Sequence, residues 1–265
     1  MPGVAVFGIS GRMGQSLVRA LHEGTCALRL SGALASPTSE RLGQDAAIGG
    51  AAARVTVTAD LKAALTGAAV AVDFSLPQCV AAHARACAAA GVPLLVGTTG
   101  FDGQARAELE AAARVVPVLI APNTSVGVAV MTHLLKQATA ALGPHYDVEI
   151  YEAHHRSKRD APSGTALALG EAVAAARGKR LADIAVFDRH GGFAPRQPGS
   201  IGFAVMRAGD IVGEHTVTFA AAGERLELTH RAADRSTFAS GALRAAEWLI
   251  GRPAGIYGMH DVLGL

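Results

Sequence analysis

Apolar positions in the first half of the chain fall in short unbroken runs, each followed by a stretch of helical period. Val4-Ala-Val-Phe7 is the first run. Gly8, Gly11 and Gly14 follow, and Leu17, Val18 and Leu21 then recur at helical spacing. The same reading predicts strands over 28–34, 55–57, 70–74, 93–96 and 116–121, and helices over 61–65 and 77–90. Pro77 suits the first turn of its helix, where a missing N–H goes unnoticed. Asp102 is placed to cap a helix between the last two strands. Unbroken apolar strands alternating with helices mark a parallel sheet covered on both faces.

The pattern changes near Asn123. A helix over 126–142 leads to a strand over 147–153, and a helix over 163–177 follows. Beyond it, Val217 and Phe219 alternate with threonines in a strand over 210–220, and Leu226-Glu-Leu228-Thr alternates likewise. Period two suits a half-exposed antiparallel sheet. Gly191-Gly192 and Gln197-Pro-Gly199 mark loops. A last helix over 237–250 follows Asp234 and Ser236, either of which suits its cap. The chain therefore reads as α/β with a mainly parallel sheet in its first half, then α+β with a mixed or antiparallel sheet. No internal repeat is visible.

Composition narrows the classes. The 265 residues suffice for one large domain or two modest ones. Hydrophobic residues make up 50% of the chain, yet no run approaches the roughly 18 residues of a membrane span. MPGVAVFGIS shows neither basic leader nor cleavage site, so a cytoplasmic protein is expected. A net charge of +2 argues for neither nucleic acid nor a membrane surface as partner. Cys26, Cys79 and Cys87 lack metal-ligand spacing, so reduced thiols and no metal are expected.

Gly8-Ile9-Ser10-Gly11-Arg12-Met13-Gly14 joins the first strand to the first helix. Glycines there permit a tight turn and let a pyrophosphate approach the helix N-terminus. The spacing is G-x-x-G-x-x-G, with Ser10 at the middle place of the usual G-x-G-x-x-G. Its position after the first strand favours dinucleotide binding over an ordinary turn. A carboxylate commonly follows the second strand and binds the adenosine ribose. Here the strand ends Ala33-Leu-Ala35-Ser36-Pro37, with no carboxylate before Glu40. Ser36 could bond a 2′-phosphate and Arg12 could supply charge, so NADPH is expected to bind at least as well as NADH; both residues are otherwise solvated loop positions. Gly97-Thr98-Thr99-Gly100 and Ala121-Pro122-Asn123-Thr124-Ser125 also follow strands. They suit either a nicotinamide and its ribose or plain turn chemistry.

Charged residues are only 17% of the chain, yet Glu152-Ala-His154-His155-Arg156-Ser-Lys158-Arg159-Asp160-Ala-Pro-Ser163-Gly164-Thr165 gathers two histidines, two arginines and a lysine. A strand ends near Glu152 and a helix starts near Ser163, with Asp160 a competing cap. The amides of Gly164 and Thr165 then face any anion at that helix start. Lysine and helix amides hold a carboxylate; a histidine exchanges a proton near neutral pH. A lone histidine is usually structural, Arg159 reads best as solvated, and no further ligand completes a metal site around the histidine pair.

This motif resembles the signature of the 4-hydroxy-tetrahydrodipicolinate (dihydrodipicolinate) reductases of lysine synthesis. Gly11-Arg-Met-Gly14, Asp73-Phe-Ser, Val96-Gly-Thr-Thr-Gly-Phe101, Asn123-Thr-Ser-Val-Gly127 and Arg207-Ala-Gly-Asp-Ile-Val-Gly-Glu-His215 also resemble family segments, in order along the chain. The resemblance implies a Rossmann-type dinucleotide-binding domain over 1–124 and 235–265, and a substrate-binding and oligomerisation domain over 125–234. It implies a homotetramer with substrate-domain strands pairing between subunits. It casts His154 as proton donor or acceptor and Lys158 as second donor. His155 would bind a small cyclic dicarboxylate, with Gly164 and Thr165 gripping a carboxylate. NADH or NADPH would touch Gly8 to Met13, Gly97 to Thr99 and Ala121 to Thr124. Some members carry a ribose-binding glutamate where this chain has Ala35, which leaves the coenzyme choice open. Two rival readings stand: a dehydrogenase of another small dicarboxylate, and a non-catalytic nucleotide sensor.

Overall fold

In a computed structural model the described residues are 1–24, 26–47, 52–192 and 194–265. Along the chain these form β1 (Gly3–Phe7), α1 (Arg12–His22), β2 (Arg29–Leu34), β3 (Val57–Thr58), α2 (Leu61–Leu65), β4 (Val70–Asp73), α3 (Val80–Ala90), β5 (Leu94–Val96), α4 (Gly103–Ala112) and β6 (Pro117–Ile120). Then come α5 (Val126–Leu142), β7 (Asp147–His154), α6 (Gly164–Ala176), α7 (Leu181–Ile184), β8 (Ala185–Val186), β9 (Ile201–Arg207), β10 (Gly213–Ala221), β11 (Glu224–Ala232), α8 (Ser236–Leu249), β12 (Gly255–Tyr257) and α9 (Met259–Leu263). The chain divides into two compact units, Met1–Val126 with Arg235–Leu265, and Gly127–Asp234.

The first unit holds a seven-stranded sheet in the order β12-β6-β5-β4-β1-β2-β3. Every pairing in it is parallel. β1, β4 and β5 at its centre are buried end to end, Val4 to Phe7 and Val70 to Val72 all fully, as the unbroken apolar runs predict. Phe7, Leu94, Leu109 and Val118 sit in one core cluster with the alanine-rich faces of α3 and α4. Burying each such large side chain contributes roughly 1.5–3 kcal/mol. Pro77 opens a 3₁₀ turn, Pro77–Cys79, that feeds α3. Asp102 caps α4, accepting the Ala105 amide at 2.8 Å.

The second unit holds a five-stranded sheet in the order β11-β10-β7-β9-β8. It is mixed: β7, β9 and β8 are parallel, while β10 runs antiparallel to both neighbours. Val148, Ile150, Val217 and Phe219 point to one face and form a core with Met131 and Leu135 of α5 and Leu169 and Val173 of α6.

Several details depart from the sequence expectation, the unforeseen α7 and β8 among them. β9 was not foreseen, because Gly202 interrupts its apolar run and only Ile201 to Phe203 are buried. β10 starts at Gly213 and not at residue 210, because Ala208 bonds back to His154 and Gly209 turns with φ +50°. The cap position of α8 falls on Arg235, between the two candidates Asp234 and Ser236. β12 and α9 extend the first unit past the last foreseen helix.

Candidate active site

Register alone assembles one edge of the first unit. Phe7 is level with Leu34, Phe7 with Asp73, Asp73 with Val96, and Val96 with Ile120. The residues that follow each strand are therefore neighbours: Gly8, Ala35, Phe74, Gly97 and Ala121. The coenzyme candidates read from the sequence lie in the loops that leave this row or, for Arg12 and Met13, in the first turn of α1. A cavity of about 420 Å³ is lined there by Gly11, Arg12, Met13, Ser75, Gly97 and Thr99, among others.

The glycine turn is fixed by backbone contacts. Gly8 sits at φ +79°, and the amides of Gly8 and Ile9 both donate to Leu34 O at 3.0 Å. A Cβ on Gly14 would stand 2.3 Å from Gly8 O, so the start of α1 lies hard against the turn. Gly11, at the cap position of α1, offers no side-chain cap. The first amides of the helix thus point outward with no side chain in front, an arrangement that fits a pyrophosphate. Ser10, Arg12 and Ser36 are exposed. Ile9, at 0% exposure, has its side chain in the core, so only its backbone can face a ligand.

The loops beyond β5 and β6 are braced from behind. Thr98 Oγ1 donates to Asp73 O at 3.3 Å, and Asp73 Oδ1 accepts the Ser75 amide at 2.8 Å. Asp73 Oδ2 lies 2.7 Å from His83 Nδ1. Thr124 Oγ1 donates to Phe238 O at 2.7 Å, and Asn123 Oδ1 accepts the Ser125 amide at 2.8 Å. The side chains of Thr98 and Thr124 therefore hold the scaffold. Thr99 and Pro122 are the exposed members.

The second unit presents a side-chain network. Glu152 and His154 continue the buried phase of β7 that Val148 and Ile150 begin. His215 of β10 is level with Glu152, and Arg207 of β9 is level with His154. His154 Nδ1 lies 2.6 Å from Glu152 Oε2. Arg207 grips both oxygens of Glu152, at 2.8 and 2.7 Å, and the Ser163 amide donates to Oε1 at 3.0 Å. A carboxylate with 0% exposure is tolerable only with such compensation.

Ser163, not Asp160, is the cap of α6, accepting the Ala166 amide at 3.2 Å. The Ser163 hydroxyl also lies 3.1 Å from His215 Nε2. Because a buried carboxylate accepts from Nδ1–H, the free nitrogen of His154 is Nε2. Gly213 flanks it; a Cβ there would come within 3.1 Å of Nε2.

Electrostatics follow from these contacts. Burial pulls His154 below the usual histidine value, with Lys158 and Arg207 adding to it, against the raising effect of Glu152. Burial raises Glu152, but bonds from Arg207, His154 and the Ser163 amide outweigh it and hold the carboxyl low. Burial, then the charge of His154, pushes His215 down to about 4. Lys158, half-buried, pairs with Asp160 at 2.8 Å. Gly164 is exposed, and a Cβ there would meet nothing within 4 Å. Thr165 is the next residue of α6, and His155 directly follows β7. Glu152, Arg207 and His215 escaped the sequence reading as site residues. The available signal was a glutamate at a core-phase position of an alternating strand.

The family model described as "Dihydrodipicolinate reductase, N-terminus" matches residues 3–124, and "Dihydrodipicolinate reductase, C-terminus" matches residues 127–263. The chain belongs to the dihydrodipicolinate reductase family. A 4-hydroxy-tetrahydrodipicolinate reductase of Thiobacillus denitrificans is 54% identical over 264 residues, spanning 99% of this chain and 98% of that protein. One of Anaeromyxobacter dehalogenans is 51% identical over 267 residues, spanning 100% and 98%. Among solved structures, a dipicolinate-bound dihydrodipicolinate reductase from Paenisporosarcina sp. TG-14 superposes with TM-score 0.77 at 25% identity, covering 98% of this chain and 99% of the other. Glu152, His154, Lys158, Arg207 and His215 all lie within the C-terminal family match.

Proposed function

We infer that this protein reduces 4-hydroxy-tetrahydrodipicolinate to tetrahydrodipicolinate in the diaminopimelate route to lysine, with NADPH or NADH as coenzyme. The observation that carries this reading is the buried Glu152–His154 pair with Lys158 beside it, inside a family match that spans the chain. In this reading residues 1–124 with 235–265 form the dinucleotide-binding domain, and 125–234 the substrate-binding and oligomerisation domain.

When bound, the reduced nicotinamide supplies hydride. Gly8 to Met13 hold its pyrophosphate at the start of α1, Ala35 and Ser36 adjoin the adenosine ribose, and Gly97 to Thr99 with Ala121 to Thr124 flank the nicotinamide. Lys158, His155 and the amides of Gly164 and Thr165 hold the dicarboxylate. His154 holds a proton on Nε2, and Glu152 steadies the imidazolium from the other side. Loss of water from the hydroxylated ring, before or alongside reduction, gives the conjugated imine; its reduction leaves an electron-rich enamine, and His154 or Lys158 donates the proton it needs. Ser36 and Arg12, with no carboxylate at the end of β2, favour a 2′-phosphate, so NADPH binds at least as well as NADH.

The long edge strand β11, with Leu226 43% exposed, and Val205 and Met206 exposed on β9, support self-association; we assign a homotetramer. Among the described residues no helix is long and apolar enough to cross a membrane, and we place the reaction in the cytoplasm. The test is coenzyme oxidation at 340 nm with the condensation product of pyruvate and aspartate semialdehyde. Turnover supports the assignment. Turnover only with another dicarboxylate, or coenzyme binding with no turnover, replaces it with one of the two rival readings.

A further inference from the structure

Lys158 and the start of α6 already hold a carboxylate, that of Asp160. Lys158 Nζ lies 2.8 Å from Asp160 Oδ2. The amides of Asp160 itself and of Gly164 act on the same group. Arg207 donates to the Asp160 carbonyl at 2.6 Å and so ties the backbone there to the Glu152 network. The Asp160 side chain is nevertheless 58% exposed, against 22% for Lys158, so the acid lies on the solvent side of the pair and the lysine on the protein side. The space over Gly164 is open, with nothing within 4 Å of where a Cβ would stand. The donors suited to a substrate carboxylate are thus engaged by an exposed acid two residues from the lysine.

We propose that Asp160 is an internal stand-in for a substrate carboxylate, displaced from Lys158 and the Gly164 amide when the dicarboxylate binds. This rests on the reading that Lys158 receives such a carboxylate. A tethered competitor lowers the affinity of every carboxylate ligand that displaces it by the same factor. An exposed ion pair is weak, so the competition is modest and screened by salt.

The test is calorimetric titration of the full-length protein with pyridine-2,6-dicarboxylate and with pyridine-2-carboxylate, at low and high salt. Asp160→Asn should bind the diacid about three- to tenfold more tightly at low salt, with the gain shrinking as salt rises. Any ligand that displaces Asp160 gains by the same factor, so the preference for diacid over monoacid should stay as it is. Asp160→Ser, which removes the carboxylate by another route, should behave the same way. Lys158→Met should weaken the diacid at least tenfold, and in that background Asp160→Asn should add nothing. If Lys158→Met weakens binding but both Asp160 variants bind equally well or worse than the parent, Asp160 supports the lysine and the proposal is lost while the site survives. If all the variants bind alike, Lys158 receives no carboxylate, and the site reading falls with the proposal.

Discussion

On the proposed reading, the carboxyl edge of the parallel sheet and the network around His154 solve the same problem, holding an anion, by opposite means. The first is built from backbone. Its donors are amides at a turn that glycine alone can make, and its side chains, Thr98 and Thr124, face inward as braces. The second is built from side chains drawn from three strands, with a buried carboxylate at its centre. A backbone site tolerates change in side chains and fails when a Cβ is added. A side-chain network fails when one charge is removed, because its partner stays buried.

The largest expected effect lies at His154. His154→Gln is expected to lower turnover about a hundredfold or more, within the usual range for a lost proton donor, while coenzyme affinity measured by fluorescence stays unchanged. An equal loss in both would show that the two regions are not separable. In the parent, burial keeps His154 below the ordinary histidine value. Acting as an acid, it is active when protonated, so kcat/KM should fall as pH rises through an apparent pKa below 6.5. Glu152→Gln, by removing the group that raises it, should move that inflection lower still. A merely structural glutamate would change the height of the profile and leave its inflection in place.

The next effect is on stability. His215 faces Glu152, His154, Lys158 and His230, and its value is about 4 against 6.5 in a free chain. The unfolded chain therefore takes up the proton first, so stability declines as pH falls from 6.5 toward 4 and levels off below. The full contribution is about 3 kcal/mol. Chemical denaturation at pH 7 and pH 4.5 measures it. His215→Gln should flatten the difference; an undiminished slope would assign it to other groups.

A smaller effect sharpens the backbone side. Gly14→Ala places a Cβ 2.3 Å from Gly8 O, a backbone atom that cannot swing away. Coenzyme affinity should fall at least tenfold, about 1.4 kcal/mol, while pyridine-2,6-dicarboxylate binds as before. Intact coenzyme affinity would mean the turn takes no part in holding the dinucleotide.

The same contrast explains what the sequence made legible. The glycine turn is local: strand, turn and helix lie within residues 3–22, and their spacing carries the geometry. The loops after β5 and β6 were legible because parallel strands of one sheet end at one edge. The motif from Glu152 to Thr165 was legible as a cluster of residue types. Glu152, Arg207 and His215 were not, because their association depends on the pairing of β7 with β9 and β10, across gaps of about fifty residues. Arg207 was hidden further by the unforeseen strand that carries it. The competing caps of α6 were a local ambiguity, decided by Ser163 also meeting His215 and Glu152.

The smallest effect concerns the adenosine end, where the two modes of construction meet. Ala35 is buried and offers no carboxylate, so nothing there repels a 2′-phosphate. Ser36 Oγ lies 2.9 Å from Thr38 Oγ1, and Ser10 Oγ 3.3 Å from Ser39 Oγ, an exposed hydroxyl cluster level with the glycine turn. Arg41 is engaged elsewhere, donating to the carbonyls of Asp45 and Ala47 at 3.2 and 3.1 Å, while Arg12 stands exposed at the turn itself. One hydrogen bond to a charged group contributes roughly 1.5–3 kcal/mol at most and less when solvated. Ser36→Ala and Arg12→Ala should therefore each raise the KM for NADPH about three- to tenfold and leave that for NADH nearly fixed. A parent enzyme preferring NADH a hundredfold would overturn this assignment. So would an equal loss for both coenzymes in Arg12→Ala, which would place the arginine on the shared pyrophosphate and not on the phosphate that tells the two apart.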